Sequence, residues 1–525
     1  MKLTIKKCIT AFMSLAAVLV LSSCIGGGKP GSTVIEKGDI SYPIDTDETI
    51  KYWVCLPDVL RQTVNNFGDT EFAKEYIRRT GIKVEYIHPA VGEESESLNV
   101  IIASNALPDI IETNWLSKGP SSMIENGIIR RLNDYKEHMP HLNRFLAENA
   151  DVDKQIKTDD GDYYSFPFVR DDNMLLSTSG FMVRSDWMKS LNLEVPETIE
   201  DWGNMLTALK TKCQYPLAFP IGVLDFFAGA YGIDDTYYVD EEGKVRIGVI
   251  EPQYKELLTT MNRWYEKGFI HKNAAILSLD LVRSNMLNNV SAVDFAAGGS
   301  GMGYYLSKKD KDGKELELEP LPYPSSEKGK KPEFGNTSFK YTPQNSAAIT
   351  VHAKNPELCA RFLDYSYGPE GSMLNNFGIE NVSYEIIEGV PTYTDIITKN
   401  PSGLTMSQAL PLYVRSSTEG PFVQDVRYIV QYYKTPAQIK ALEVWGNNNH
   451  KKHLMPQVTT TAEESRELSV INGEIEKYKA EMLIRFVMGD VSIDKFDETV
   501  EHYKALGIER AIQIYQDALG RFNSR

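Results

Sequence analysis

The run IKYWVCL at positions 50–56 opens the part of the sequence that decides the fold. It is short, apolar and rich in aromatic and β-branched residues, which is typical of a buried strand. A helical pattern follows at about 72–80, and the run IKVEYI at 82–87 then alternates as a strand does. The order strand, helix, strand predicts a parallel pair of strands covered by the helix that connects them.

The same alternation continues along the chain. A helical pattern at about 98–104 leads to the short strand LPDIIE at 107–112. Such an order predicts parallel sheets with covering helices, in which ligands bind beyond the carboxyl ends of the strands. A turn at 240–245 between two apolar runs predicts a hairpin. Near the C-terminus, apolar residues recur at spacings of three and four and predict two amphipathic helices, with the stripes Ile471, Ile475, Tyr478, Met482 and Phe486, then Ile508, Ile512, Tyr515 and Leu519.

Composition limits the classes of function. The chain has 525 residues, 42% hydrophobic and 24% charged, which is ordinary for a globular protein of two or more domains or lobes. A formal net charge of -16 disfavours nucleic acid and acidic membrane surfaces as partners. Beyond the N-terminal segment, Cys55, Cys213 and Cys359 are odd in number and far apart, so they are expected as small buried hydrophobes rather than a disulfide framework, with a single bridge left open.

The N-terminus has the organisation of a secretory signal. Lys2, Lys6 and Lys7 precede an uncharged run at 9–21, which is too short to span a membrane. The run LSSC at 21–24 resembles the lipobox of bacterial lipoproteins. That resemblance implies a signal peptide over 1–23 and a mature chain that starts at a diacylated Cys24, anchored outside the bacterial cell membrane. An ordinary signal peptide with a chance cysteine is the alternative.

A polar, glycine-rich stretch follows the cysteine. Residues 24–48 begin with the run CIGGGKPGS and cannot bury a core, so they are expected to form a flexible tether. No later segment approaches 18 consecutive apolar residues. We therefore expect the body of the protein to be soluble and to hang from the lipid on Cys24.

Several blocks of the sequence resemble one family. The run from Asn355 to Glu380, with RFLDYSYGPEG at 361–371, is similar to the C-terminal-half signature of family 1 extracellular solute-binding proteins. The blocks LPDIIETNW at 107–115, GDYYSFP at 161–167 and VRSDW at 183–187 are similar to family blocks and occur in family order. The C-terminal segments at 477–482 and 496–516 resemble the long lipoprotein branch of that family. The resemblance covers most of residues 50–520.

This resemblance implies an α/β fold of the periplasmic-binding-protein type II, with two discontinuous lobes joined by a hinge. Lobe one would comprise 49–168 plus 325–378, and lobe two 169–324 plus 379–525, with hinge segments near 168–170 and 320–323. It further implies the substrate-binding lipoprotein of an ABC importer, a monomer without cofactor or metal. Such a protein captures a sugar or oligosaccharide and delivers it to a permease on separate chains.

Candidate ligand residues follow from the chemistry of sugars. A sugar ring has an apolar face and a rim of hydroxyls, so its site needs aromatic rings and fixed polar groups. For Arg170 and Asp171 the competing interpretation is an interlobe ion pair, and for the large aromatic rings it is the core. The candidates are Asn114, Trp115, Phe168, Arg170, Asp171, Asp225, Phe226, Ser300 and Trp445.

The motifs of catalysis and metal binding are missing from the sequence. The glycine cluster around Ser300 lacks the Lys-Ser/Thr of a phosphate loop and the spacing of a nucleophile elbow. The histidine pairs at 138–141 and 450–453 lack the companions of a metal site. A non-catalytic binding protein is therefore the leading hypothesis. The alternatives are a secreted carbohydrate-active enzyme or glycan adhesin, or a binding protein for peptides or another polar solute.

Overall fold

The computed structural model describes residues 40–525, so the predicted signal peptide, Cys24 and most of the predicted tether lie outside the described residues. Within this range the chain alternates strands and helices. The strands are β1 Thr49–Trp53, β2 Lys83–Ile87, β3 Ile110–Thr113, β4 Phe166–Arg170, β5 Ser179–Arg184, β6 Tyr237–Val239, β7 Val245–Ile247, β8 Val293–Ala297, β9 Leu318–Pro320, β10 Tyr341–Ile349, β11 Tyr384–Ile387, β12 Val390–Tyr393 and β13 Val423–Gln424.

The helices pack around the strands and make up most of the C-terminal region. They are α1 Asp58–Arg61, α2 Glu71–Thr80, α3 Glu94–Ala103, α4 Pro120–Glu125, α5 Pro140–Glu148, α6 Ala150–Gln155, α7 Ser185–Ser190, α8 Ile199–Leu209, α9 Pro252–Glu266, α10 Leu279–Leu287, α11 Tyr304–Leu306, α12 Pro356–Asp364, α13 Pro369–Phe377, α14 Asp395–Thr398, α15 Met406–Tyr413, α16 Val426–Tyr432, α17 Pro436–Gly446, α18 Ala462–Met488, α19 Phe496–Ala505 and α20 Ile508–Ser524.

The first lobe is built on a six-stranded sheet of order β13-β4-β10-β3-β1-β2. β1 pairs in parallel with β2 and with β3, and α2 connects β1 to β2. The predicted strand, helix and strand at the start of the body are thereby confirmed. A core that includes Tyr52, Phe72 and Tyr76 fills the space between this sheet and its helices.

The sequence predicted parallel sheets, and this prediction is wrong for several strands. β10 runs antiparallel to both β3 and β4, and β5 runs antiparallel to both β8 and β9 in a separate three-stranded sheet of order β8-β5-β9. The reason lies in the path of the chain. β10 enters the first sheet only after the chain has left it for the second sheet and returned, so its direction is not set by a local strand-helix-strand unit.

The three-stranded sheet carries the second lobe. Its core is larger and includes Phe181, Trp202 and Trp264, three rings that are at least 98% buried. The predicted C-terminal helices form as α18 and α20, and the apolar stripe of α18 contributes Ile475, Met482 and Phe486 to this core. The predicted hairpin forms as β6 and β7.

Two connections join the sheets and lie side by side. Residues 171–178 lead from β4 to β5, and residues 321–340 lead from β9 to β10. The amide of Ser338 donates a hydrogen bond to the carbonyl of Leu176 at 3.0 Å, and the amide of Arg170 donates to the carbonyl of Lys340 at 2.8 Å. Backbone hydrogen bonds thus hold the two crossings together.

Two further features concern membrane-spanning helices and the cysteines. Between residues 40 and 525, no helix is both long enough and apolar enough to cross a bilayer. Cys55, Cys213 and Cys359 are free thiols, and burial raises the pKa of Cys213 to about 12 and that of Cys55 to about 11.

Candidate functional site

A cavity of about 340 Å³ lies between the two sheets. Arg170, the last residue of β4, and Ala297, the last residue of β8, both line it, so the cavity lies at the carboxyl ends of one strand from each sheet. Small-molecule sites occur preferentially between domains, and the cavity has such a position. The volume falls within the range of about 300–1,000 Å³ that is usual for small-molecule sites.

Three tyrosines form an aromatic wall of the cavity. Tyr428 and Tyr432 are four residues apart on α16, so they share one face of the helix, and Tyr433 follows directly. The rings of Tyr428 and Tyr432 stack with centroids 6.3 Å apart. Burial raises the pKa of Tyr432 to about 12, so its hydroxyl stays protonated and neutral at physiological pH. Tyr432 is partly exposed, whereas Tyr428 and Tyr433 are 8% and 4% exposed, so the ring surface that the wall offers to a ligand comes mainly from Tyr432.

Small hydroxyl and amide side chains form the rest of the polar lining. They are Thr178, Ser300, Ser407, Ser416, Ser417 and Gln424. The hydroxyl of Ser417 is buried without a hydrogen-bond partner among the described residues. A buried hydroxyl without a partner is costly, and a ligand hydroxyl in the cavity would satisfy it.

One ion pair completes the lining. Arg170 Nη2 lies 2.8 Å from Glu419 Oε1, and Arg170 Nη1 donates to the hydroxyl of Ser338 at 2.9 Å. Asn345 Nδ2 donates to the second carboxylate oxygen of Glu419 at 3.2 Å. Both charged groups are therefore fixed by partners inside the protein before any ligand binds.

The glycine cluster after β8 brings backbone close to the aromatic wall. A Cβ atom on Gly299 would lie 2.2 Å from Cε1 of Tyr432, which is far inside contact distance. The absence of a side chain at Gly299 thus permits the π-helical turn Gly298–Gly303 to pack against the ring. Ser300, in the same turn, is exposed and lines the cavity.

A pair of stacked rings lies on the sheet of the second lobe. Phe226 and Phe295 have centroids 4.3 Å apart and planes inclined by 14°, and both are partly exposed. Phe295 lies two residues before Ala297 in β8, so the two residues occupy the same face of the strand. Phe295 also pairs with Phe181 of β5, and the centroids of these two rings lie 5.1 Å apart. The stacked pair therefore packs beside the core of the second lobe, and neither of its rings is among the residues that line the cavity.

Trp115 was predicted as an accessible ring, and the structure buries it instead. Its side chain is fully buried in a core with Trp53 and Tyr164, and its Nε1 donates to the carbonyl of Ile111 at 3.1 Å. The neighbouring Asn114 accepts a hydrogen bond from the amide of Ser117, so its side chain stabilises a turn. Neither residue is among those that line the cavity.

Phe168 and Trp445 are also core residues. Phe168 is fully buried next to Phe422, and Trp445 is fully buried with its Nε1 donating to the carbonyl of Phe181 at 3.0 Å. The ring of Trp445 occupies the place where a side chain on Gly180 of β5 would lie. Each ring packs against the strand framework, so neither presents a face to the cavity.

The predicted acidic residues differ in their surroundings. Asp225 is buried and accepts a hydrogen bond from the hydroxyl of Tyr254 at 2.9 Å, and burial raises its pKa well above the usual range. Asp171 is exposed overall, but neighbouring atoms partly bury its carboxyl group. This burial and the nearby Asp425 and Asp172 raise the pKa of Asp171 to about 6.

Of the nine candidate ligand residues, Arg170 and Ser300 line the cavity.

The cavity includes residues that the sequence analysis missed. Tyr428, Tyr432, Glu419 and Gln424 all lie more than 240 positions from Arg170 along the chain. A local signal existed for two of them, since tyrosines four residues apart on a short helix share a face. Nothing in the sequence indicates which other segments that face meets.

Other depressions fit a ligand less well. One of about 380 Å³ is an open surface depression on the second lobe alone, lined mainly by charged and polar groups such as Asp280, Arg283 and Lys311. Another, of about 30 Å³, lies inside the aromatic core of the first lobe. Over residues 40–525 no group of three or more His, Cys, Asp or Glu side chains is placed to hold a metal ion.

Two known proteins are similar to most of this chain. It is 22% identical to the fructooligosaccharide ABC transporter substrate-binding protein FusA of Streptococcus pneumoniae serotype 4, over 94% of this chain and 95% of that protein. It is 21% identical to lipoprotein LipO of Bacillus subtilis, over 82% and 84% of the two chains.

A solved structure supports the fold. The crystal structure of alginate-binding protein AlgQ2 without calcium ion matches with a TM-score of 0.75 and 24% identity, over 90% of this chain and 99% of that one. The two-lobed α/β architecture is thus the periplasmic-binding-protein fold of type II, as the sequence analysis predicted. The sequence model of the family of bacterial extracellular solute-binding proteins matches residues 65–373 of this chain. The chain therefore belongs to this family.

Proposed function

We propose that this protein captures an oligosaccharide in the cavity between its lobes and delivers it to the permease of an ABC importer. The observation that carries the proposal is the composition of the cavity. It combines the aromatic wall of Tyr428, Tyr432 and Tyr433 with a rim of hydroxyl and amide groups. Aromatic faces suit the C–H face of a sugar ring, and the rim suits its hydroxyls.

The relatives favour the same class of cargo. FusA is named for fructooligosaccharides and AlgQ2 for alginate, and both match nearly the whole length of this chain. The permease and the ATPase would be separate proteins. The alternatives of a carbohydrate-active enzyme, an adhesin or a peptide-binding protein predict different outcomes in the experiment below.

A thermal-shift screen followed by calorimetry tests the proposal. Purified residues 40–525 are heated with a panel of plant and host oligosaccharides, and hits are titrated by calorimetry. A ligand at a hundredfold excess over its Kd adds about 2.7 kcal/mol to the free energy of unfolding, which raises Tm visibly. The recovered glycan is then analysed by chromatography. Binding without a change in the glycan supports the proposal, and cleavage or binding of peptides alone contradicts it.

Lobe closure is part of the proposed mechanism. The lobes would comprise 49–168 plus 325–378 and 169–324 plus 379–525, with Val423–Gln424 returning to the sheet of the first lobe as β13. The predicted hinge segments near 168–170 and 320–323 lie at the start of the side-by-side crossings 171–178 and 321–340, which supports a hinge in this region. Small-angle scattering should show a smaller radius of gyration with saturating ligand, and an unchanged radius would contradict closure.

The protein would act as a lipid-anchored monomer outside the cell membrane. The family is extracellular and LipO is named as a lipoprotein, which supports this location. Cys24→Ala should release the protein into the culture medium, whereas Cys55→Ala should leave it in the membrane fraction. Mass spectrometry of the membrane-extracted protein should find acyl chains on an N-terminal Cys24. Light scattering should give the mass of one chain.

A further inference from the structure

The charge of the cargo is a property that family membership leaves open. Fructooligosaccharides are uncharged, whereas alginate is a polymer of uronic acids, and this chain resembles binding proteins named for each of them. A site for uronates needs cationic groups that are free to pair with carboxylates. The charged groups of the cavity therefore bear on the choice between the two classes.

The charges that line the cavity cancel each other. Among its described lining residues, Arg170 is the one cation and Glu419 the one anion, and they lie 2.8 Å apart. Their side chains are 17% and 31% exposed. Ser338 accepts a further hydrogen bond from Arg170, and Asn345 donates one to the second carboxylate oxygen of Glu419. A ligand carboxylate could reach the guanidinium only by displacing Glu419 or by lying next to it.

The backbone of Glu419 is strained in order to present this carboxylate. Its φ is +66°, in the left-handed region that residues other than glycine rarely adopt. The carbonyl of Glu419 accepts a hydrogen bond from Nε of Arg415 at 3.0 Å, which holds the conformation. Strain that persists in a ligand cavity points to a role for the side chain it positions.

Two arginines near the pair are neutralised by carboxylates of their own. Arg415, behind the cavity wall, is paired with Glu112, and Arg427 is paired with Asp425. Arg283 donates to the carbonyl of Ser300 and stacks on Tyr304, and its side chain lines the separate surface depression.

The environment at the end of β4 is acidic. The carboxyl groups of Asp171, Asp172 and Asp425 gather there, and Lys340 and Arg427 offset only part of their charge. These three carboxyl groups do not line the cavity, but their net negative charge acts on an incoming anion from the adjacent end of β4.

We propose that the Arg170–Glu419 pair makes the cavity select uncharged oligosaccharides over uronate-containing ones of the same length. The proposal rests on oligosaccharide binding in this cavity. Glu419 repels a carboxylate on the ligand, while the fixed guanidinium and carboxylate groups still exchange hydrogen bonds with neutral hydroxyls.

Matched ligands test the selection directly. Each oligosaccharide of the panel is compared with its counterpart in which the C6 hydroxymethyl groups are oxidised to carboxylates. We expect the wild-type protein to bind a neutral member at least about tenfold more tightly than its oxidised counterpart at pH 7.5. Equal or tighter binding of the oxidised counterpart overturns the selection and leaves oligosaccharide binding intact. Failure of every neutral and oxidised member to bind overturns the proposed function and the selection with it.

The variant Glu419→Gln assigns the selection to the pair. It keeps the size and the acceptor oxygen but leaves the guanidinium of Arg170 uncompensated. The quantity compared is the Kd for the oxidised oligosaccharide divided by the Kd for its neutral counterpart. We expect this ratio to be at least about tenfold lower in the variant than in wild type. The control Glu385→Gln removes the same charge from an exposed position on β11 and should keep the wild-type ratio. An unchanged ratio in folded Glu419→Gln contradicts the role of the pair.

Discussion

Nη2 of Arg415 lies 2.7 Å from Oε1 of Glu112, and both side chains are buried. The second carboxylate oxygen of Glu112 accepts a hydrogen bond from the hydroxyl of Tyr52 at 2.6 Å, and the guanidinium lies 4.9 Å from the ring centre of Phe67. The pair joins the loop after α15 to β3, in the middle of the six-stranded sheet. It thereby fixes the loop that carries Ser416, Ser417 and Glu419 to the framework of the first lobe.

Removal of one partner should therefore be costly. Glu112→Ala leaves the guanidinium of Arg415 buried without its carboxylate, and we expect a loss of about 3–5 kcal/mol in the free energy of unfolding. Denaturation with urea, followed by tryptophan fluorescence, measures it. The control Arg427→Ala removes one member of a more exposed pair with Asp425 and should cost about 1 kcal/mol or less. Similar losses in the two variants would contradict the buried role of the first pair.

Loss of a core ring should lower the stability of the protein, whereas loss of a ring from the cavity wall should lower its affinity for the oligosaccharide. Trp115→Ala empties a fully buried position and should lower the free energy of unfolding by about 3–5 kcal/mol. Tyr432→Ala removes a ring from the cavity wall and should weaken oligosaccharide binding by about 1–3 kcal/mol. Calorimetry and denaturation on both variants give the comparison.

The matched control for the cavity ring is Tyr265→Ala. This tyrosine lies on α9, and its hydroxyl donates to the carbonyl of Lys272 away from the cavity. We expect its affinity for the oligosaccharide to equal that of wild type. Wild-type affinity in folded Tyr432→Ala would remove the aromatic wall from the binding site.

Contact between the glycine turn and the aromatic wall can be tested at one position. Gly299→Ala places a methyl group 2.2 Å from a ring carbon of Tyr432, so the turn or the ring must move. We expect weaker ligand binding, by about 1–3 kcal/mol, because the wall is displaced where the ligand contacts it. The control Gly473→Ala adds a methyl group in open space on α18 and should leave affinity unchanged. Equal affinities in the two variants would show that the packing is dispensable.

The fold was more predictable from the sequence than the site. The apolar run at 50–56 and the alternating pattern at 82–87 indicate strands because residue type and the two-residue repeat of a strand are local properties. The antiparallel direction of β10 has no such local cause, since the chain reaches it only after building the other lobe. Periodicity therefore predicted the elements, and the path of the chain between lobes decided how they pair.

The prediction for Trp115 shows why the site was harder to predict from the sequence than the fold. Its polar neighbours Thr113 and Asn114 suggested an open loop, but the ring turns back against Trp53 and Tyr164, which come from other segments. Arg170, by contrast, lies at the crossing between the lobes, and that position was predicted from the family resemblance. Contacts made over hundreds of residues, such as that of Arg170 with Glu419, cannot be read from local composition.

A buried carboxylate should give the stability of the protein a pH dependence. Asp364, at the end of α12, accepts hydrogen bonds from the amides of His141 and Leu142 and so caps α5. Burial raises its pKa to about 7, although those amides and Arg144 act in the opposite direction. In the unfolded chain an aspartate titrates near 3.9. Between pH 4 and pH 7 the folded state therefore binds more protons at this site than the unfolded state does.

Stability contributed by Asp364 should thus fall as pH rises from about 4 to about 7. Asp364→Asn keeps an acceptor oxygen for the helix but cannot ionise. We expect the free energy of unfolding of the variant, minus that of wild type, to increase steadily over this range when urea denaturation is measured at half-unit steps. The control Asp47→Asn changes a fully exposed carboxyl group and should give a difference that is constant with pH. A constant difference for Asp364→Asn as well would show that Asp364 ionises equally in the folded and unfolded chain.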